Sequence, residues 1–165
     1  MTDKESARPA RGKSSPRPSA KAKAVDLLSR SDQSVRLLST KLARKQYSEE
    51  EIQEAVQWLQ EKHYIDDEAG CRRRFDYLYN SSSYSVKQIC AKLMQKGYDS
   101  SLVQDCVPDD IYEREFQKAI KVLTGKFKGN ASFQKMMQYL YQKGFSYDAA
   151  RNAVEHFMAE FSVEQ

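Results

Sequence analysis

Cations, not nucleophiles, are the residues of this chain whose grouping could do chemistry. Arg72, Arg73 and Arg74 are consecutive, and Lys126 and Lys128 flank Phe127 in the stretch Thr124–Asn130. Lys45, Lys96 and Lys143 precede Gln46-Tyr47, Gly97-Tyr98 and Gly144-Phe145, so they share one register, while Arg36 and Lys87 each stand two residues after a matching serine, Ser34 or Ser85. A guanidinium fork fits carboxylate and phosphate geometry, and an ammonium offers a compact point charge. This grouping suits contact with an anionic partner better than it suits making or breaking bonds. Against it stands the plainer reading of solvated helix surface, with the three lysines complementing helix dipoles for ~0.3–1 kcal/mol each.

Other chemistry lacks the residues it needs. His63 and His156 stand without ligand spacing, and Asp66-Asp67 has no His or Glu partner nearby, so the pair reads as a helix cap rather than an acid–base or metal site. Cys71, Cys90 and Cys106 are odd in number, contain no C-x-x-C and fall beside apolar residues, which reads as reduced core thiols. The loop around Lys126 lacks the Walker spacing and a preceding strand. No catalytic residue, metal or cofactor is expected.

The elements that carry these cations repeat. The stretches Ser34–Tyr47, Ser85–Tyr98 and Ser132–Phe145 align without a gap, a period that marks a repeat array. Each starts with an N-cap serine, worth ~1 kcal/mol, and carries one apolar stripe: Val35/Leu38/Leu42, Val86/Ile89/Leu93 and Phe133/Met136/Leu140. Gly97 and Gly144 fit the left-handed stop after the helix, with Tyr98 and Phe145 folding back as apolar clasps. Gln46 stands where a glycine is expected, so the first copy should end less sharply. A second helix follows each copy, opened by the capping box Ser48–Glu51 in the first. A preceding helix completes each unit, around Val25–Ser29, Glu68–Tyr79 and Ile111–Leu123. The expected fold is all-α, three tandem three-helix repeats at 25–68, 69–112 and 113–165 behind a disordered basic tail at 1–24.

The net charge of +4 is unevenly placed: +5 over residues 1–24, then −4, +1 and +2 over the three units. A flexible basic tail adds salt-sensitive attraction to polyanions. No apolar window is long enough for a membrane span and no secretory leader is visible, so a cytoplasmic monomer is expected. The ten tyrosines invite a base-stacking role, but Tyr47 and Tyr98 serve as clasps and Tyr64, Tyr77 and Tyr112 fall at expected inter-helix contacts.

A capped helix ending in Leu-x-x-Lys-Gly-aromatic, a second helix, then Tyr64-Ile65-Asp66-Asp67 leading into a helix and the Leu93-x-x-Lys96-Gly97-Tyr98 copy, resembles the RecX family. The similarity runs from about Val25 to Phe161, and its most specific part is Tyr64–Asp67 joined at family spacing to Ile89–Gly97. The chain departs from that pattern at Gly70, where an aromatic residue is usual, at Ser85 and in the Asn80–Ser83 loop. The resemblance implies a curved array of three-helix repeats that regulates the RecA recombinase. It implies binding in the groove of RecA filaments on single-stranded DNA, limiting filament growth, strand exchange, ATP hydrolysis and coprotease activity in DNA repair and the SOS response. Candidate contacts with RecA or DNA are Arg36, Lys45, Arg72, Arg73, Arg74, Lys87, Lys96, Lys126, Lys128 and Lys143, with Tyr64, Asp66, Asp67, Gly97 and Gly144 as the structural motif. A helix-turn-helix-like nucleic-acid module and a protein-interaction solenoid with another client are the rival readings.

Overall fold

The structure, a computed structural model, describes residues 16–128 and 131–163. They form nine helices and no strand: α1 (Ala20–Arg30), α2 (Val35–Arg44), α3 (Glu49–Glu61), α4 (Asp67–Ser81), α5 (Val86–Gln95), α6 (Ser100–Asp105), α7 (Tyr112–Lys126), α8 (Phe133–Gln142) and α9 (Tyr147–Val163). Helices α1–α3, α4–α6 and α7–α9 each close around a separate core. The first holds Leu38, Leu42 and Leu59, the second Phe75, Ile89 and Leu93, the third Leu123, Leu140 and Phe157. Every extensive helix–helix contact lies inside one of these units. The protein is an all-α chain of three tandem three-helix repeats.

Helix α1 starts earlier than the sequence pattern suggests. Ser19 accepts a hydrogen bond from the Ala22 N–H, and Ala20 and Ala24 are buried in the first core. Residues 20–24 therefore belong to the first unit, because alanine alternating with lysine makes a good helix whose small face packs while the ammonium stems reach solvent. Arg17 is also fastened: its guanidinium donates to the Lys45 carbonyl at 2.8 Å and lies 3.7 Å from the Tyr47 ring centroid, while Tyr47 Oη donates to the Pro18 carbonyl. The expected disorder of the preceding residues falls outside the described chain.

The central helices end alike. Gly97 and Gly144 have φ of 90° and 82°, with Tyr98 N–H donating to Leu93 O and Phe145 N–H to Leu140 O, the bond that wraps a Schellman stop. Gln46 corrects the expectation of a looser first copy. It adopts φ 65°, and Gln46 N–H and Tyr47 N–H still reach Ala43 O and Leu42 O. His63 repeats the left-handed geometry at the end of α3, with φ 56°.

Two further expectations are corrected. Helix α7 runs through Gly125 to Lys126, so Lys126 is helical rather than in a loop, and Phe127 packs edge-on to Tyr139 at 5.5 Å against the third core instead of standing exposed. Tyr64, Tyr77 and Tyr112 are exposed on the surface at 62%, 68% and 42%. Tyr64 lays one edge on Trp58 at 5.7 Å and keeps its hydroxyl wet, whereas Tyr112 does hold the expected inter-helix contact, its hydroxyl accepting a hydrogen bond from Asn152 Nδ2 on α9.

Candidate functional site

The units meet through a joint that is built twice. Ser34, which caps α2 by accepting the Leu37 N–H, donates its hydroxyl to the Lys96 carbonyl at 2.7 Å. Ser85, which caps α5 by accepting the Gln88 N–H, donates to the Lys143 carbonyl at 2.7 Å. Beside each serine the next backbone N–H meets a carboxylate of the following unit: Val35 N–H donates to Asp67 Oδ1 and Val86 N–H to Glu115 Oε1, both at 2.9 Å. One otherwise unpaired donor of a helix N-terminus is thus satisfied across the joint.

The Asp66-Asp67 pair divides its work accordingly. Asp66 caps α4 by accepting the Ala69 N–H, while Asp67 turns to the preceding unit. Burial raises the Asp67 and Glu115 carboxyls above their ordinary values, opposed in each case by the backbone N–H they accept. Glu115 is only 2% exposed. It is partnered by Arg114, which also donates to the Tyr79 and Tyr84 carbonyls and lies 4.3 Å over the Tyr79 ring. Arg114 thereby ties the end of α4 and the loop before α5 to the third unit.

Gly97 and Gly144 complete the joints. A Cβ on Gly97 would stand 2.5 Å from Ser34 Oγ, and one on Gly144 would stand 3.0 Å from Ser85 Oγ. These positions need glycine for close approach as well as for positive φ. Gln46 can depart because no earlier unit docks on it, and Arg17 supplies the donor to the Lys45 carbonyl that a serine supplies elsewhere. Gly70 has its own reason: a Cβ there would lie 3.1 Å from the Tyr98 hydroxyl, so the small residue makes room for the clasp.

At each joint a cleft opens between cations. The first, about 470 Å³, is floored by Leu37, Leu78 and Leu93 and flanked by Arg74, Lys92 and Lys96. The second, about 260 Å³, has Val122 and Tyr139 in its walls with Lys121, Lys126 and Lys143 around it. Tyr84 lines both, and no carboxylate lines either. Lys92 Nζ sits 4.5 Å from the Tyr84 centroid, and Lys126 and Lys143 approach the Tyr139 ring at 5.8 and 5.5 Å. None of the six cations forms an ion pair among the described residues.

The candidate cations are therefore sorted by the fold. Arg74, Lys96, Lys126 and Lys143 line the clefts. Arg36 and Lys87 lie on the joints beside Gly97 and Gly144, and Lys45 and Arg73 are exposed away from both clefts, as is Lys128. Arg72 donates to the Asp105 carbonyl at 2.8 Å and so braces the second unit internally. Sequence reasoning missed Lys92, Lys121, Tyr84 and Arg114. One had a visible signal: Lys92 stands one turn before Lys96, the residue that ends the same helix. The cysteines hold a core position, with Cys71 and Cys106 sulfurs 3.9 Å apart and burial together with Cys106 pushing the Cys71 thiol up to about 12.

Among the described residues no helix is long and apolar enough to cross a membrane, and no group of three or more His, Cys, Asp or Glu is placed to hold a metal ion. Family models for the first and third three-helix domains of RecX match residues 20–59 and 113–154. A regulatory protein RecX from Neisseria meningitidis serogroup C is 32% identical over 146 residues, covering 86% of this chain and 92% of the relative. One from Caldanaerobacter subterraneus subsp. tengcongensis is 31% identical over 82% of this chain and 68% of its own length. The chain spans 58% of the relative from Finegoldia magna. The crystal structure of RecX from Lactobacillus salivarius shares the fold, with a TM-score of 0.72 at 22% identity over 84% of this chain and 94% of that one. With three-helix units matched at both ends and similarity running across most of the chain, the protein belongs to the RecX family of regulatory proteins.

Proposed function

We propose that this protein is a non-enzymatic regulator that binds RecA filaments on single-stranded DNA and lowers their recombinase, ATPase and coprotease activities. Membership of the RecX family carries the reading. The repetition of one basic cleft at two successive joints supports it, since a periodic array suits a periodic polymer. The protein acts as a cytoplasmic monomer without a cofactor. Arg36, Arg74, Lys87, Lys96, Lys126 and Lys143 lie on or beside the joints and are the first contact candidates; Lys45, Arg72, Arg73 and Lys128 are secondary ones.

The test is the DNA-dependent ATPase of RecA at saturating single-stranded DNA and fixed salt, with this protein titrated in. The expected outcome is a fall in rate well below one protein per RecA subunit. An unchanged rate at excess removes the proposal. A nucleic-acid-binding module is the second reading, favoured by the absence of any carboxylate from clefts that also present tyrosine rings.

A further inference from the structure

We propose that the two joint clefts form one track for the phosphodiester backbone of a single strand, with Arg74, Lys92 and Lys96 holding phosphates at the first joint and Lys121, Lys126 and Lys143 at the second. The inference rests on the reading that single-stranded DNA is part of this protein's target, and it says which atoms of the strand are held and where.

Three observations carry it. Six cations converge on two clefts without an ion-pair partner and without a carboxylate in either wall. Such crowding of like charge is unfavourable until an anion enters. Second, the clefts are equivalent products of the repeat. Lys143 takes the place of Lys96 and Gln88 that of Leu37, while Lys121 stands next to Val122, which holds the register of Arg74. A ligand that satisfies both must itself repeat. Third, Tyr84 belongs to both clefts, so a chain leaving one enters the other without crossing a unit, and Arg114 holds Tyr84 in place through its carbonyl.

Phosphodiester fits better than an acidic protein surface. A single strand bears one charge per nucleotide on a flexible chain, so it can adjust to clefts of unequal size. Tyrosine rings beside the cations also suit a ligand with flat bases. The charge distribution agrees: the second and third units carry +1 and +2, whereas the first carries −4 and lies outside both cation sets.

The experiment measures binding of the full chain to oligothymidylate by fluorescence anisotropy at several salt concentrations, alongside the RecA ATPase titration. Removing one phosphate-holding cation should flatten the slope of log K against log salt by about 0.7. Arg74→Ala with Lys96→Ala should therefore flatten it by about 1.4, Lys121→Ala with Lys143→Ala by a similar amount, and all four together by about twice that. The charge-matched control Lys62→Ala with Lys135→Ala alters exposed residues outside both clefts and should leave the slope unchanged. Circular dichroism melting confirms that each variant folds. Equal flattening by the control, or none by the cleft variants, overturns the proposal. Cleft variants that bind oligothymidylate normally but no longer lower the ATPase would assign the clefts to an acidic protein surface and overturn the phosphate track alone. The expected slope changes with a wild-type protein that leaves RecA unaffected would uphold the track and remove the regulatory reading.

Discussion

At the residue scale, the joint glycines separate two demands that sequence reading merges. Gly97 is required both for φ of 90° and because Ser34 Oγ occupies the space a Cβ would take, whereas at Gly144 the serine stands farther back. Gly97→Ala should therefore cost about 2–3 kcal/mol, combining left-handed strain with the rupture of one joint hydrogen bond. Gly144→Ala should cost less, about 1.5–2.5 kcal/mol, because the strain is joined there by a tight contact that Ser85 and Lys87 can relieve by shifting. Gln46 meets only the first demand, so Gln46→Gly should stabilise by up to about 1 kcal/mol, the strain relieved less the entropy glycine loses on folding. Urea denaturation of the three variants checks the order, and equal destabilisation at the two glycines would reject the close-approach account. The left-handed stops themselves were legible in Gly97-Tyr98 and Gly144-Phe145. The second demand was hidden because it comes from a serine 62 positions away in one joint and 58 in the other. A serine hydroxyl has one hydrogen to donate besides the lone pairs that cap its own helix. The capping pattern assigns the lone pairs and says nothing of the hydrogen.

At the scale of elements, α7 does more than complete the third core. Its first turns send Arg114 and Glu115 into the joint, where Glu115 accepts the Val86 N–H at the start of α5. Because burial raises the Glu115 pKa in the folded protein, the folded state holds a proton that the unfolded state releases between the ordinary value of 4.5 and the raised one. Stability from this group falls as pH rises through that window. Glu115→Gln keeps an acceptor for Val86 but cannot titrate. Its stability relative to the native protein should therefore be lowest near pH 4.5 and improve toward pH 7, as read from denaturation at the two pH values; a pH-independent difference would exclude the coupling. Glu115→Ala should lose about 2–4 kcal/mol at pH 7, leaving a buried N–H and a buried guanidinium without their partner. Helix existence and caps were readable from periodicity and serine spacing. The joint carboxylates were not, because a charged residue near a helix start is equally well explained by the dipole. Tyr64 and Tyr77 misled for a related reason: aromatic spacing on a helix face marks contact but cannot say how much of the ring stays wet.

At the scale of the whole molecule, three cores are joined by contacts made largely of polar atoms, and no extensive helix–helix packing crosses a joint. In a linear array, stability is roughly a sum of unit terms and neighbour terms. Here the neighbour terms rest on two hydrogen bonds per joint among the N-cap groups, to which Arg114 adds two more at the second joint, each worth ~1 kcal/mol net. Coupling of this kind leaves every core closed where a joint opens. It also makes cooperativity fragile. Ser34→Ala with Ser85→Ala removes one hydrogen bond from each joint, together with the caps of α2 and α5, and leaves the apolar side chains of all three cores in place. The double variant should open unit by unit, with core amides of α2, α5 and α8 reporting different opening free energies in native-state hydrogen exchange. The calorimetric enthalpy should then exceed the van't Hoff value by more than in the native protein. Identical opening energies in the three units of the variant would show that the cores are coupled by something other than these joints.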